Sequence, residues 1–410
     1  MFRRTSVLFL ATVLLLLSTG VVLAQDALPT VFCGDLDAED CELLQASAES
    51  MADLTSGTTT TEFDIEVNGL PGLPISEADI ALYVESAFVM DPDLADYLEQ
   101  YAEMDPDELM SNPDLAMELS TAVLQGMDTS QFIQVEMSPN LAEILSAELE
   151  QPVPDELILN LRLIDGILYI DLASLAEVIP QLGFLGGWMG VDLVALTQLI
   201  QDEQMGEDFD MDAMQGALIV PGLAMGGSSM QMLGMEEQVN MLEDFIQVQR
   251  LQDAVVDDEP VAIFSMTVNF GDLISSPEFL EMVISQMQAT GAMDQMDMTA
   301  GEMEELGMVL GFVAPMLFQD LDFEVNQAIG LDEPYLYDSE LVFDWDLGEF
   351  MAMAESMSGD DLGLSESGEI NMYMGGERSN RDFDGVTSIP VPEGALVLPI
   401  NMLMQLVENL

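Results

Sequence analysis

The chain has 410 residues, of which 77 are acidic and 6 are arginine, with no lysine and no histidine, giving a net charge of −71. Such a surface repels nucleic acid and anionic headgroups and attracts cations in bulk. The missing imidazole and amine exclude the commonest general base, the commonest nitrogen ligand for metals and every lysine nucleophile. With 49% hydrophobic residues the chain is also too apolar to be a disordered polyanion.

The first 24 residues read as a signal peptide. Arg3 and Arg4 precede an apolar run from Val7 to Leu17, and Val22-Leu23-Ala24 fits a small-residue cleavage site before Gln25. Residues 25–410 follow as one domain, with insertions at 91–128 and 202–235. Cys33 and Cys41 are the only cysteines; in an exported chain their default state is a local disulfide. No lipobox surrounds Cys33, so a lipid-modified cysteine is not expected. The reading is a secreted, extracytoplasmic protein without a mature transmembrane helix.

Leu36, Cys41, Leu44, Ala48, Met51 and Leu54 recur at helical spacing, predicting an amphipathic helix over 36–54 that Gly57 and Thr58 to Thr61 end. Phe63 to Val67 alternates as a half-buried strand, and Ile80 to Phe88 reads as a second. Asp91-Pro92-Asp93, Asp105-Pro106-Asp107, Asn112-Pro113-Asp114, Ser138-Pro139 and Ser276-Pro277-Glu278 each place a capping side chain before a proline, a helix-start device. Leu157 to Leu163 and Ile167 to Leu172 flank Asp165-Gly166, a strong hairpin signal. Residues 173–201 look helical with a break at Gly183 to Gly190, 202–235 irregular, and 236–253 helical again. A strand over Val261 to Phe270 follows, then helices over 277–288 and 301–318. Strands over Leu321 to Ala328, Tyr335 to Trp345 and Glu369 to Met374 close the pattern.

Catalytic templates fail. There is no Ser–His or Cys–His dyad, no Walker lysine and no S-x-x-K motif. Glu207-Asp208-Phe209-Asp210-Met211-Asp212 begins like a calcium loop, but Ala213 stands where glycine is needed and Ile219 where glutamate is needed. Arg378 and Arg381 could bind a phosphate, though Glu377 and Asp382 beside them are expected to neutralise the pair. No enzyme activity, no metal site and no cofactor are expected. Methionines crowd two regions, Met225 to Met241 and Met282 to Met308; these thioethers suit core and pocket lining, with Cu(I) ligation as the alternative.

Two glycine-rich apolar stretches are candidates for a mobile lid over a hydrophobic cavity, or else for a helix-packing surface. One carries Phe184, Leu185, Trp188 and Met189; the other carries Leu218, Ile219, Val220, Met225, Met230 and Met232.

Three stretches resemble the LolA-like superfamily of bacterial lipoprotein carriers, including the LppX/LprG-type lipoproteins. They are Asp165 to Leu172 followed by a helix, Val325 to Leu336 leading into an alternating strand, and Asp382 to Glu393, similar to the superfamily's closing strand and proline-rich exit. The resemblance implies an α+β fold: a curved antiparallel sheet, or half-barrel, wrapped around helices with helical insertions. It also implies an apolar cavity for a lipid or other apolar small molecule, and it transfers no individual functional residue. A peripheral contact with a membrane is left open. The alternative is an acidic structural or interaction protein of the cell exterior, meeting cations or basic partners and lacking a ligand cavity.

Overall fold

A computed structural model describes residues 31–69, 77–102, 113–149, 152–173, 176, 187–203, 245–276, 316–318, 321–348, 370–399 and 402. Within them thirteen strands form one sheet: β1 (Ser56–Asn68), β2 (Glu77–Met90), β3 (Met127–Met137), β4 (Glu156–Ile164), β5 (Ile167–Asp171), β6 (Trp188–Asp192), β7 (Ile246–Arg250), β8 (Ala254–Val256), β9 (Glu259–Val268), β10 (Leu321–Gly330), β11 (Leu336–Asp346), β12 (Asn371–Arg381) and β13 (Leu396–Leu398). The order is β13-β6-β5-β4-β3-β2-β1-β12-β11-β10-β9-β7, with β8 paired to β9. Every pairing is antiparallel except β13 on β6. The sheet is open and curved, and the fold is α+β.

Six described helices accompany it: α1 (Ala38–Ala52), α2 (Pro92–Ala102), α3 (Pro113–Gly126), α4 (Pro139–Leu149), α5 (Leu193–Glu203) and α6 (Phe270–Ser275). Asp37 caps α1, its carboxylate accepting from the Glu39 and Asp40 amides. Asp91 Oδ1 accepts from the Asp93 amide at 2.8 Å at the start of α2. Ser138 departs from the expected device: its hydroxyl accepts from the Asp79 amide at 3.3 Å and ties α4 to β2. None of the described helices is long and apolar enough to cross a membrane.

Four of the described helices, α1, α2, α3 and α5, bury apolar side chains against one sheet face, and α4 contacts β2. Leu44 of α1 is buried with Val248, Ala262, Phe264 and Ile329 at the β7–β10 end. Leu124 of α3 and Leu193 of α5 are buried with Leu163, Met189 and Val191 at the β3–β6 end, while Leu94 and Leu98 of α2 join Met90 and Met127. The Cys33–Cys41 disulfide, with Cα atoms 5.3 Å apart, fastens the segment before α1 to its first turn. Val31 and Phe32 thereby pack against the α1 cluster.

Several expectations need correction. Thr58 to Thr61 extend β1 instead of ending a helix, because β-branched threonines pair readily in a sheet. β3 occupies 127–137, where no strand is expected from the sequence. Trp188–Asp192 is a strand where the end of a glycine break and the resumption of a helix are expected. Residues 246–250 are a strand where a helix is expected, 254–256 are a strand where none is expected, and Asp257 and Asp258 turn the β8–β9 hairpin with φ of 49° and 71°. Asp382 to Pro392 forms no strand. Asp382 and Asp384 adopt positive φ in a turn, and Ile389 then lies buried on the other sheet face with Ile164 and Tyr169. The 277–288 segment, most of 301–318, the methionine-rich runs and the calcium-like loop lie outside the described residues.

Gly330 closes the turn between β10 and β11, its amide donating to the Tyr335 carbonyl at 3.0 Å. A Cβ there would collide with the Glu333 carbonyl and lie 2.8 Å from Tyr337 Cε2. Gly330→Ala is therefore expected to destabilise the fold by about 1–3 kcal/mol through overpacking against backbone. Urea unfolding checks this; a midpoint equal to that of the unsubstituted protein would show that the turn relaxes freely.

Candidate functional site

Side chains alternate across a strand, and residues paired across strands share a face. The register therefore sorts the whole sheet. The face carrying the helices receives Phe63, Ile65 and Val67 of β1, Ile80, Leu82 and Val84 of β2, and Ile133 and Val135 of β3. Across the other side of β1 it receives Met372 and Met374 of β12, Leu341, Phe343 and Trp345 of β11, and Phe323 and Val325 of β10. No acidic residue occupies a paired position on this inner face in the described strands.

The acids fall on the outer face. Glu340, Glu377 and Glu62 are direct register partners on three adjacent strands, and Asp322 sits opposite Asp344. Like charges placed opposite each other destabilise a sheet.

Inner-face burial is uneven. At the two ends, beneath the helices, side chains such as Phe264, Met127 and Leu172 are fully buried. In the middle, Phe63, Ile65, Val67, Phe343, Met372 and Met374 are only half-buried. Val84, Ile133, Val135 and Leu159 form a buried cluster whose described members and neighbours all come from strands. Aromatic rings border the tract at one side: Trp345 stacks on Phe318 at 5.1 Å and meets Phe343 edge-on, while Phe323 meets Phe270. The Trp345 indole N–H donates to the Leu317 carbonyl at 2.9 Å, so the ring buries no unpaired donor.

A polar band crosses this same face. In register, Gln327, Ser339, Arg378 and Thr61 form one row, and Asn380, Thr59, Ser86 and Gln131 form the next. Asn380 organises the band. Its Oδ1 accepts from Arg378 Nε at 3.1 Å and from Thr59 Oγ1 at 3.0 Å, and its Nδ2 donates to the Leu336 carbonyl at 2.9 Å.

The four described arginines differ in kind. Arg250 bonds Asp40 and Asp253, and these carboxylates, Asp253 first, raise its pKa. Arg381 bonds Asp257 and Asp338. Arg162 donates from Nη1 to the Pro390 carbonyl at 2.6 Å and lies over the Trp188 ring, 5.2 Å from its centroid. Arg378 contacts no carboxylate among the described residues, and burial lowers its pKa. The expected neutralisation of Arg378 by Glu377 does not occur, because consecutive strand residues point to opposite faces.

Of the residues singled out from sequence, Cys33 and Cys41 form the disulfide. Trp188 and Met189 are separated by strand alternation. Met189 faces inward and is buried with Leu163 and Val191. Trp188 faces outward, lining with Arg162 and Phe132 a cleft of about 280 Å³. Phe184, Leu185, Leu218, Ile219, Val220, Met225, Met230 and Met232 lie outside the described residues. Sequence reading missed Phe63, Ile65, Met372 and Met374 as site residues, and it named Arg378 as a phosphate candidate but expected its neighbours to neutralise it. The period-two series Met372, Met374, Gly376, Arg378, Asn380 is the signal that places both methionines on one face with Arg378.

Among known proteins, no protein-family model and no curated protein matches the chain. It is similar to the solved structure of lipoprotein LppX from Mycobacterium tuberculosis, at 9% identity and a TM-score of 0.26, covering 85% of this chain and 97% of that one. It is similar also to LprF from Mycobacterium bovis, at 10% identity and a TM-score of 0.30, covering 87% and 99%. Similarity at these values assigns no activity.

The outer glutamate row gives a direct electrostatic test. Glu377→Gln removes the middle charge of three and is expected to raise the melting temperature in 10 mM salt. The gain should vanish near 1 M salt, where the Debye length is about 3 Å. A gain that persists in 1 M salt would assign the effect to packing instead.

Proposed function

We propose that this chain is an exported, non-catalytic binding protein that holds an apolar molecule, a lipid or lipid-like ligand, against the inner face of its curved sheet. The half-buried apolar tract at the centre of that face carries the reading. A folded chain gains about 25 cal/mol for each Å² of apolar surface removed from water. Leaving Phe63, Ile65, Met372 and Met374 half-buried forgoes that gain, and a bound hydrocarbon recovers it. Among the described helices, α1 packs at the β7–β10 end of the face and α3 and α5 at the β3–β6 end, and no hydrophobic cluster among the described residues joins a helix to β1 or β12. Export rests on the N-terminal sequence pattern, and the disulfide suits an oxidising exterior.

A second reading, an acidic exterior protein that meets cations or basic partners, is favoured by the Glu340–Glu377–Glu62 row. It concerns the opposite face and requires no ligand inside.

Native mass spectrometry of protein purified from its own host separates the two readings. The ligand reading expects a lipid adduct at one or a few molecules per chain. Met374→Glu places a charge in the tract and should reduce the adduct by about tenfold or more, since a buried unpaired carboxylate costs several kcal/mol. Tyr83→Glu on the outer face should leave it intact. Protein that carries no lipid from its host and takes up none from mixed vesicles would remove the ligand reading.

A further inference from the structure

We infer that the ligand carries a single anionic group, a carboxylate or a phosphate, which docks on Arg378 while its hydrocarbon runs along β12 and β1. This deepens the apolar-ligand reading and rests on it. The inner face holds two arginines. Arg250, at the β7 edge, is matched by Asp40 and Asp253. Arg378, on a central strand, spends Nε on Asn380 and has no partner for Nη1 or Nη2 among the described residues. Those two nitrogens form the fork that pairs bidentately with carboxylate or phosphate oxygens.

In a chain with 77 acids and 6 bases, a half-buried arginine that meets no carboxylate among the described residues is an uncompensated cation. Desolvation without a counter-charge is unfavourable, and desolvation is the cause that lowers the pKa of this group. An incoming anion relieves the imbalance. The surroundings suit it: Thr61 and Ser339 are the direct cross-strand partners of Arg378 and offer hydroxyls, and no paired position of the described strands on this face is acidic.

The apolar tract begins immediately below. Gly376 succeeds Arg378 on the inner face, and a Cβ at Gly376 would lie 2.9 Å from Phe63 Cδ2, so glycine is what lets the Phe63 ring lie against the strand. Met374 with Ile65 and Met372 with Val67 complete the series in register. From Arg378 to Met372 is a rise of about 20 Å, the length of a long acyl chain. The arrangement places a charged head at the polar band and a tail along the half-buried tract, toward Trp345.

The test compares three probes that share one chain and differ at the head: palmitate, hexadecyl phosphate and hexadecanol. Dissociation constants are measured by isothermal titration on the full chain. The native protein should prefer one or both anions to hexadecanol by about tenfold or more, the range for a charge-assisted hydrogen-bonded pair. A stronger preference for hexadecyl phosphate assigns a phospholipid-type head, and a stronger preference for palmitate assigns a free fatty acid. Arg378→Gln should bring the ratio near one, Arg378→Lys should keep part of it, and Arg162→Gln on the outer face should keep all of it. Because the readout is a ratio within one protein, partial unfolding of a variant does not imitate the result. Equal binding of hexadecanol and both anions, or a preference that survives Arg378→Gln, overturns the anchor while leaving the apolar site standing. Failure of all three probes to bind the native protein overturns both.

Discussion

Strict alternation of side chains, carried in register across the central strands, is the constraint on which the rest of the structure depends. One residue of slip in β1 or β12 would bring Glu62, Asp64, Glu66 or Glu377 onto the face that holds the helices, and Phe63, Ile65 and Met374 onto the outside. The charge on this chain makes that error far more costly than in an ordinary sheet. Register is thus specified by electrostatics as well as by hydrophobic burial. The irregularity at Ala328 and Ile329 between β10 and β11 keeps the pattern: Ile329 returns to the inner cluster with Phe264, and Ala328 stays on the outer side with Val261 and Tyr337.

Segregation of this kind has two consequences that meet at the site. Outside, carboxylates crowd one another, so ionic screening matters to the folded state. Inside, the same sorting leaves Arg378 without a carboxylate among the described residues, because its closest acid in sequence, Glu377, points away. The apolar tract and the lone guanidinium follow from one cause. A hydrocarbon with an acidic head is complementary to both, and the Asn380 network holds the arginine in place for it.

Much of the fold is legible in the residues. The Asp165-Gly166 hairpin forms as its sequence dictates, with both residues at positive φ. The Phe63–Val67 alternation, the long strands 321–330 and 336–346, and the Asp91-Pro92 helix start are equally readable. The errors share a physical origin. Thr58 to Thr61, the Thr129 to Gln131 half of β3, and Glu377 to Arg381 of β12 are polar on both faces, so hydrophobic periodicity vanishes there although the backbone remains a strand. The polar band that shapes the candidate site therefore truncated β1 and β12 in the sequence reading and hid β3. The expected pairing of Arg378 with Glu377 fails for a related reason: consecutive residues of a strand point to opposite faces.

Photoaffinity labelling tests the central claim most directly. A palmitate analogue with a diazirine near its methyl end, bound and irradiated, reports which side chains line the hydrocarbon. The account expects crosslinks at Met372, Met374, Ile65, Val67 or Trp345, resolved to the residue by fragmentation and competed away by unlabelled palmitate. Crosslinks confined to outward residues of the same strands, such as Tyr373 and Glu66, would contradict it.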